Sequence, residues 1–342
     1  MTKLRFALLG AGFWSRYQLN GWLATGLAEC IAVCDLKREK AEALAQDFGV
    51  PRVYDTAEAL LRAEKPDFVD ICTSVDTHGP LVQLAAQRKV AAVCQKPLAL
   101  SLNEAEASVE ACRRAGVALF VNENWRWQSP IRQFQKTLCT GAIGDVFRAR
   151  ITMVSGFPVF RNQPFLAEID QFILTDIGSH VLDVARFLFG EAERLYCQTQ
   201  KVHKNIRGED IATVMLQTRG GATITVEMGY AENFLEHDRF PETYIFAEGS
   251  RGSAELGPDF WIRATTEAGT MAKRYPPPRF PWADPAYDVV HSSVVPCQEN
   301  LAEAMLGRAA GETTGEDNLK TMRLVFGAYE SAATGQAIRL PA

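Results

Sequence analysis

Short apolar runs alternate with amphipathic stretches through the first third of the chain. Phe6-Ala7-Leu8-Leu9 and Ile31-Ala32-Val33-Cys34 are uninterrupted apolar runs, the pattern of strands buried on both faces. A helix-length segment starting near Phe13 separates them. After Asp35, residues Ala41, Leu44, Ala45 and Phe48 recur at i, i+3, i+4, i+7, and Gly49 with Pro51 ends that helix. Asp55 and Glu58 have capping-box spacing for a short helix carrying Leu60 and Leu61. Further strands are predicted at 68–72, 91–94 and 118–121. Between the last two, Ser101 and Glu104 cap a helix with Ala105, Val109 and Cys112 on one face, closed by Gly116. Repeated β-α units with doubly buried strands predict a doubly wound parallel sheet over residues 1–122.

The pattern changes from residue 123 onward. Phe147, Ala149, Ile151 and Met153 alternate with Arg148, Arg150 and Thr152, as in a strand with one wet face. Residues 211–218 and 222–230 flank Arg219-Gly220-Gly221, a hairpin signal, and 244–248 with 253–256 flank another glycine-bearing turn. The proline-rich stretch 276–285 predicts an irregular loop. Two helices end the chain, the second carrying Leu319, Met322, Phe326, Tyr329 and Ala333. Residues 123–342 therefore predict an α+β domain with a mainly antiparallel open sheet.

At 342 residues the chain has room for about two domains at ~150 residues each. Lys and Arg total 36 against 41 Asp and Glu, so there is no general positive field to hold nucleic acid. No apolar run reaches the ~18 residues of a membrane span, and Met1 to Gly12 lacks a cleavage site. The expectation is a soluble, unexported, cytoplasmic protein. Eight cysteines (Cys30, Cys34, Cys72, Cys94, Cys112, Cys139, Cys197, Cys297) form no C-x-x-C pair and fit a reducing compartment. The five histidines (His78, His180, His203, His237, His291) are dispersed, so no metal is expected.

Gly10-Ala11-Gly12-Phe13-Trp14-Ser15 follows the first strand and opens the first helix. Gly10 suits a tight turn, and Gly12 lets backbone approach a pyrophosphate attracted by the helix N-terminus. Ser15 replaces the third glycine of the dinucleotide fingerprint; alone the motif is weak, and a bare turn is its bland reading. Asp35 ends the second strand, where a carboxylate accepts from the adenosine ribose hydroxyls; a helix N-cap is the alternative. A carboxylate there repels a 2′-phosphate and favours NAD, while Lys37 and Arg38 leave NADP open. Gln95-Lys96-Pro97 ends another strand, at the crevice where parallel sheets bind ligands, although a solvated lysine is the usual case. Asp176, His180 and Asp183 share a helical face, and a carboxylate beside an imidazole suits a general base. As metal ligands these three would need a fourth that the sequence does not advertise.

In order along the chain, Gly10-Ala11-Gly12, Asp35, Thr73 with His78, Lys96-Pro97, Asn124-x-Arg126 and Asp176-Ile177-Gly178-Ser179-His180-x-x-Asp183 resemble the Gfo/Idh/MocA family, named for glucose–fructose oxidoreductase, inositol dehydrogenase and a rhizopine-catabolism protein. The resemblance spans nearly the whole chain. It implies a Rossmann domain and then a domain whose open sheet forms homodimers or homotetramers. It also implies NAD(P)-dependent oxidation or reduction of a sugar, polyol or related carbonyl compound. Lys96, Asp176 and His180 match the family's catalytic residues. Gly10, Gly12, Phe13, Trp14, Asp35, Thr73, His78, Gln95 and Lys96 are expected around the cofactor. Lys96, Asn124, Trp125, Arg126, Asp176 and His180 are expected at the substrate. One departure stands out: the family commonly has Glu before Lys-Pro, and this chain has Gln95.

The expected chemistry is hydride exchange between a carbinol carbon and nicotinamide, with His180 taking the hydroxyl proton and Lys96 stabilising alkoxide charge on the same oxygen. Residues 155–175, 230–245 and 276–290 would shape the pocket. Phe157, Phe160, Arg161 and Phe165 in the first of these suit sugar C–H faces or a carboxylate, although aromatic residues so spaced are more often core. Two alternatives use the same fold: a cofactor-binding sensor without turnover, and a glycosidase that recycles bound NAD.

Overall fold

The computed structural model describes residues 3–232 and 240–341, so His237 and part of the 230–245 stretch lie outside it. The chain forms two compact units, Met1–Asn124 with Phe280–Asp284 and His291–Met322, and Trp125–Arg279 with Pro285–Val290 and Arg323–Ala342.

The first unit is built on six parallel strands, β1 (Leu4–Leu9), β2 (Ala28–Cys34), β3 (Val53–Tyr54), β4 (Phe68–Ile71), β5 (Ala91–Gln95) and β6 (Leu119–Asn122). Their order is β3-β2-β1-β4-β5-β6, the dinucleotide-binding order, which reverses between β1 and β4. Five helices alternate with them: α1 (Ser15–Thr25), α2 (Arg38–Phe48), α3 (Ala57–Ala63), α4 (His78–Gln87) and α5 (Leu102–Ala115). Gly49 and Gly116 end α2 and α5 in left-handed conformation, and Ser101 caps α5 through the Glu104 amide. The α3 cap falls one residue later than the capping-box spacing predicts. Thr56 is extended there and its Oγ1 accepts from Ala59 N at 3.2 Å.

The second unit begins with α6 (Ser129–Cys139) and β7 (Val146–Ser155), followed by the single turn α7 (Val159–Asn162) and by α8 (Ser179–Phe189). Strands β8 (Ala192–Gln200), β9 (Ile211–Thr218), β10 (Thr223–Tyr230), β11 (Tyr244–Gly249), β12 (Gly252–Gly257), β13 (Trp261–Thr266) and β14 (Gly269–Arg274) complete most of its sheet. Short α9 (Asp288–His291), α10 (Val294–Met305), α11 (Gly315–Thr334) and β15 (Ile338–Arg339) end the chain. The nine-stranded order is β14-β13-β12-β11-β7-β10-β9-β8-β15. Every pair is antiparallel except β7 with β10, so the sheet is mixed. Ala149, Ile151 and Met153 of β7 enter the core, while Arg148 and Arg150 stay exposed, as the alternation predicts. Phe147 departs from its predicted face and is exposed.

Two features depart further from the sequence reading. The Phe280–Asp284 and His291–Met322 segments join the first unit, not the second. Within that unit α10 packs on α1: Gln298 Nε2 donates to Gln18 O at 3.1 Å, and a Cβ at Gly21 would overlap the Val294 and Gln298 side chains. Helical periodicity reveals an apolar face but not which neighbour covers it. The second departure is at the Asp176 motif. A π-helical turn, Leu174–Gly178, precedes α8 where a continuous α-helix is expected.

Candidate functional site

In the first unit the candidate site gathers at the carboxyl ends of β1, β2, β4 and β5. Gly10 has φ +98°, and a Cβ there would overlap the Cys72 carbonyl, so the turn admits only glycine. Its N–H donates to Cys34 O at 2.7 Å, tying the turn to the end of β2. A Cβ at Gly12 would meet nothing within 4 Å, which leaves open space over the turn. Asp35 Oδ2 accepts from Ala11 N, and its Oδ1 from Lys37 N, both at 2.8 Å. The carboxylate therefore staples the glycine turn to the β2 end, and Lys37, not Asp35, is the N-cap of α2. Each oxygen keeps a second lone pair for a ribose hydroxyl. Arg38 is engaged by Glu42 at 2.7 Å and Asp55 at 3.1 Å. Phe13 is exposed, whereas Trp14 packs on Tyr17 at 5.1 Å and on His291 at 5.8 Å.

Thr73 and His78 bracket the loop after β4. Thr77 Oγ1 lies 2.7 Å from Thr73 Oγ1. The buried His78 ring faces two carbonyl oxygens, Nδ1 to Pro97 O at 2.9 Å and Nε2 to Thr73 O at 3.2 Å. A neutral imidazole donates to only one of them, and burial pushes the His78 pKa down. His78 thus ties the β4 loop to the turn that carries Lys96, rather than presenting its own ring to a ligand. The Lys96–Pro97 peptide is cis. Gln95 is buried; its Oε1 accepts from Lys96 N at 3.2 Å, and its Nε2 has no acceptor among the described residues. Because Lys96 N–H can only donate, the amide orientation is set, and an unsatisfied donor sits beside the lysine. The Asn124 amide donates to Ser293 Oγ at 2.7 Å.

In the second unit Asp176 lies on the π turn and His180 in the first turn of α8. Turns of this kind insert one residue and re-aim side chains, often at functional sites. Ser179 Oγ donates to Asp176 O at 3.1 Å. His180 is buried and stacked on Trp125, with centroids 4.6 Å apart and planes 6° from parallel. Arg126 is turned inward: its Nε and Nη2 donate to the two Asp183 oxygens at 2.7 and 2.5 Å. Arg186 approaches the same carboxylate at 3.6 Å and forks onto Glu191.

Three groups are not recognisable from the sequence pattern. Asp70, in the middle of β4, accepts from Trp22 Nε1 at 2.7 Å and Asn122 Nδ2 at 3.0 Å; a carboxylate inside an apolar run was the visible signal. Tyr17 stacks on His291 at 4.1 Å beside Trp14, a contact across more than 270 residues that no local pattern reveals. The Arg126–Asp183 fork is likewise invisible to spacing. Among the described residues no group of three or more His, Cys, Asp or Glu is arranged to hold a metal ion, and no helix is long and apolar enough to cross a membrane.

The open space over Gly12, the remaining acceptor capacity of Asp35 and the unsatisfied Gln95 amide fit a dinucleotide at the carboxyl ends of β1, β2 and β5. Comparison with known proteins agrees. Residues 4–123 match the oxidoreductase family with NAD-binding Rossmann fold, and residues 131–255 match the Gfo/Idh/MocA C-terminal domain. The D-apiose dehydrogenase of Paraburkholderia graminis is 42% identical, over 99% of this chain and 90% of that protein. That of Rhizobium rhizogenes is 40% identical, over 100% and 99%. A crystal structure of an oxidoreductase from Agrobacterium radiobacter in complex with NAD+, L-tartaric acid and magnesium superposes with a TM-score of 0.96 at 39% identity, covering 99% of this chain and 98% of that one. The chain belongs to the Gfo/Idh/MocA family of NAD(P)-dependent oxidoreductases.

Proposed function

We propose that the protein oxidises D-apiose, or a short sugar closely like it, at the anomeric carbon, using NAD+. The observation that carries this reading is full-length similarity, at 42% and 40% identity, to two D-apiose dehydrogenases. The anomeric carbon is the one most readily oxidised, because a second oxygen already stabilises its oxidised form and the product is a lactone.

NAD+, when bound, supplies the hydride acceptor. Gly10, Gly12, Phe13, Trp14 and Asp35 would hold its adenosine and pyrophosphate side, and Thr73, Gln95 and Lys96 would lie toward its nicotinamide side. His180 takes the proton of the anomeric hydroxyl as the carbon gives up its hydride. Lys96 donates to that oxygen and stabilises the alkoxide charge that builds on it. Asp176 orients His180 or binds a neighbouring hydroxyl, and Asn124 contributes to the substrate pocket. NAD rather than NADP is favoured because the Asp35 carboxylate repels a 2′-phosphate. Arg38, the nearby cation best able to recruit one, is already held by Glu42 and Asp55.

The protein works as a homodimer or homotetramer through the exposed face of the nine-stranded sheet, which carries Arg148, Arg150, Met215 and Phe246. Eight free cysteines support a reducing, cytoplasmic setting. The test is product analysis. With NAD+ and 1-13C-labelled D-apiose, the label is expected in a lactone or its aldonic acid; an oxidised product whose labelled carbon is still a hemiacetal or aldehyde would overturn the assignment. Sedimentation velocity reads the oligomer.

A further inference from the structure

We propose that Trp125 and Arg126 are positioning residues that clamp α8 and fix the ring of His180, rather than ligands of the substrate. The inference rests on the reading of His180 as the base. His180, Asp183 and Phe187 lie at i, i+3 and i+7, one face of α8. Two consecutive residues of one turn engage that whole face. The Trp125 indole covers the His180 ring at 4.6 Å and 6°. A ring held face to face cannot turn about its Cβ–Cγ bond without driving its edge into the indole. Arg126 forks onto Asp183 at 2.7 and 2.5 Å, and its guanidinium also lies over Phe187 at 5.6 Å. Two parallel N–H···O bonds from a planar fork set both distance and direction.

The need for such a clamp is local. The π turn Leu174–Gly178 breaks the regular ladder just before His180, so the helix entering the site has no unbroken α-helical register behind it. Burial points the same way. Arg126 and Asp183 are both buried, and buried ion pairs add little stability over well-packed apolar residues of the same size. What the fork supplies that an apolar pair does not is a single setting of α8. Asp183 is bonded by Arg126 and approached by Arg186, so its carboxylate serves as an anchor and not as a base.

The experiment uses the full-length enzyme with D-apiose and NAD+. Trp125→Leu, Trp125→Phe, the Arg126→Met/Asp183→Leu double variant and His180→Ala are compared for kcat, KM, Tm and NADH affinity by fluorescence. The His180 ring protons are followed by NMR. A clamp predicts kcat down about tenfold to a hundredfold in Trp125→Leu, with KM and NADH affinity held within about threefold. Trp125→Phe should restore most of the loss. The double variant should keep the native Tm or exceed it while losing kcat. In Trp125→Leu the His180 ring protons should move downfield as the indole ring current disappears. Native kcat in Trp125→Leu and the double variant, or a loss confined to KM, would overturn the proposal. If His180→Ala turns over normally, the base reading fails instead, and the NMR shift still reports whether the clamp exists.

Discussion

Asp70 offers a test of the fold's electrostatics that is independent of turnover. Its carboxyl sits fully buried in β4, between β1 and β5, and its bonded donors are the neutral Trp22 Nε1 and Asn122 Nδ2. Trp22 is itself locked between Phe6 and Phe68, with centroids at 5.7 and 4.8 Å. Burial raises the Asp70 pKa from 3.8 to about 7, and the two hydrogen bonds offset only part of that. Between those values the folded protein holds a proton that the unfolded chain has released. This carboxyl's contribution to stability is therefore greatest at acid pH and falls as pH rises toward 7, levelling off above it. The full difference corresponds to about 4 kcal/mol, and about 3 kcal/mol of it falls between pH 5 and pH 8. Asp70→Asn removes the titration while keeping the shape. Urea unfolding of both proteins without dinucleotide, at pH 5 and pH 8, reads the effect as the native-minus-variant difference. His78 and His291, both pushed down by burial, shape the acid limb of both proteins and cancel in that difference. The native protein should lose about 3 kcal/mol relative to the variant on going from pH 5 to pH 8. Parallel pH dependences would mean that Asp70 titrates alike in the folded and unfolded chains and that its burial does not hold the proton.

The remaining predictions concern the site. Lys96→Ala should lower kcat by about 10²-fold or more, with NADH still bound, if the ammonium stabilises alkoxide charge; near-normal turnover would remove Lys96 from the chemistry. Asp35→Ser should narrow the NAD+ over NADP+ preference by about tenfold or more and also weaken NAD+ binding, since Asp35 holds the Ala11 amide as well. An unchanged cofactor ratio would count against Asp35 as the discriminating group.

Much of the first unit is legible in sequence because both of its signals are local. Runs such as Phe6–Leu9 have no polar face, and glycines such as Gly49 and Gly116 stop helices through their own backbone freedom. Where two neighbouring residues can do the same job, local pattern fails: Asp55 and Thr56 can each cap α3, and the extended backbone at Thr56 decides. The mixed pairing of β7 with β10 is not readable, because alternation reports which face is wet but not strand direction. At the site, the residue types that make the candidate chemistry stand out singly, while their partners do not. Arg126 meets Asp183 across 57 positions, and His291 reaches Tyr17 from the far end of the chain. The family resemblance implies an arginine at the substrate, whereas Arg126 donates inward to the Asp183 carboxylate. The π turn escaped for a related reason: it differs from an α-helix by one inserted residue, and Thr175, whose Oγ1 bonds the carbonyls of Gln171 and Phe172, is unremarked by any helical pattern.

Absorbance at 340 nm with NAD+ and D-apiose, beside a panel of other sugars, polyols and sugar acids, decides whether the protein is a sugar dehydrogenase that turns over, with Lys96→Ala and His180→Ala run in parallel. The expected result is NADH accumulating in step with D-apiose consumed, more slowly with NADP+, and lost in both variants. Tight NADH binding with no accumulation on any member of the panel would contradict it, and would point instead to a sensor or to an enzyme that recycles its bound cofactor.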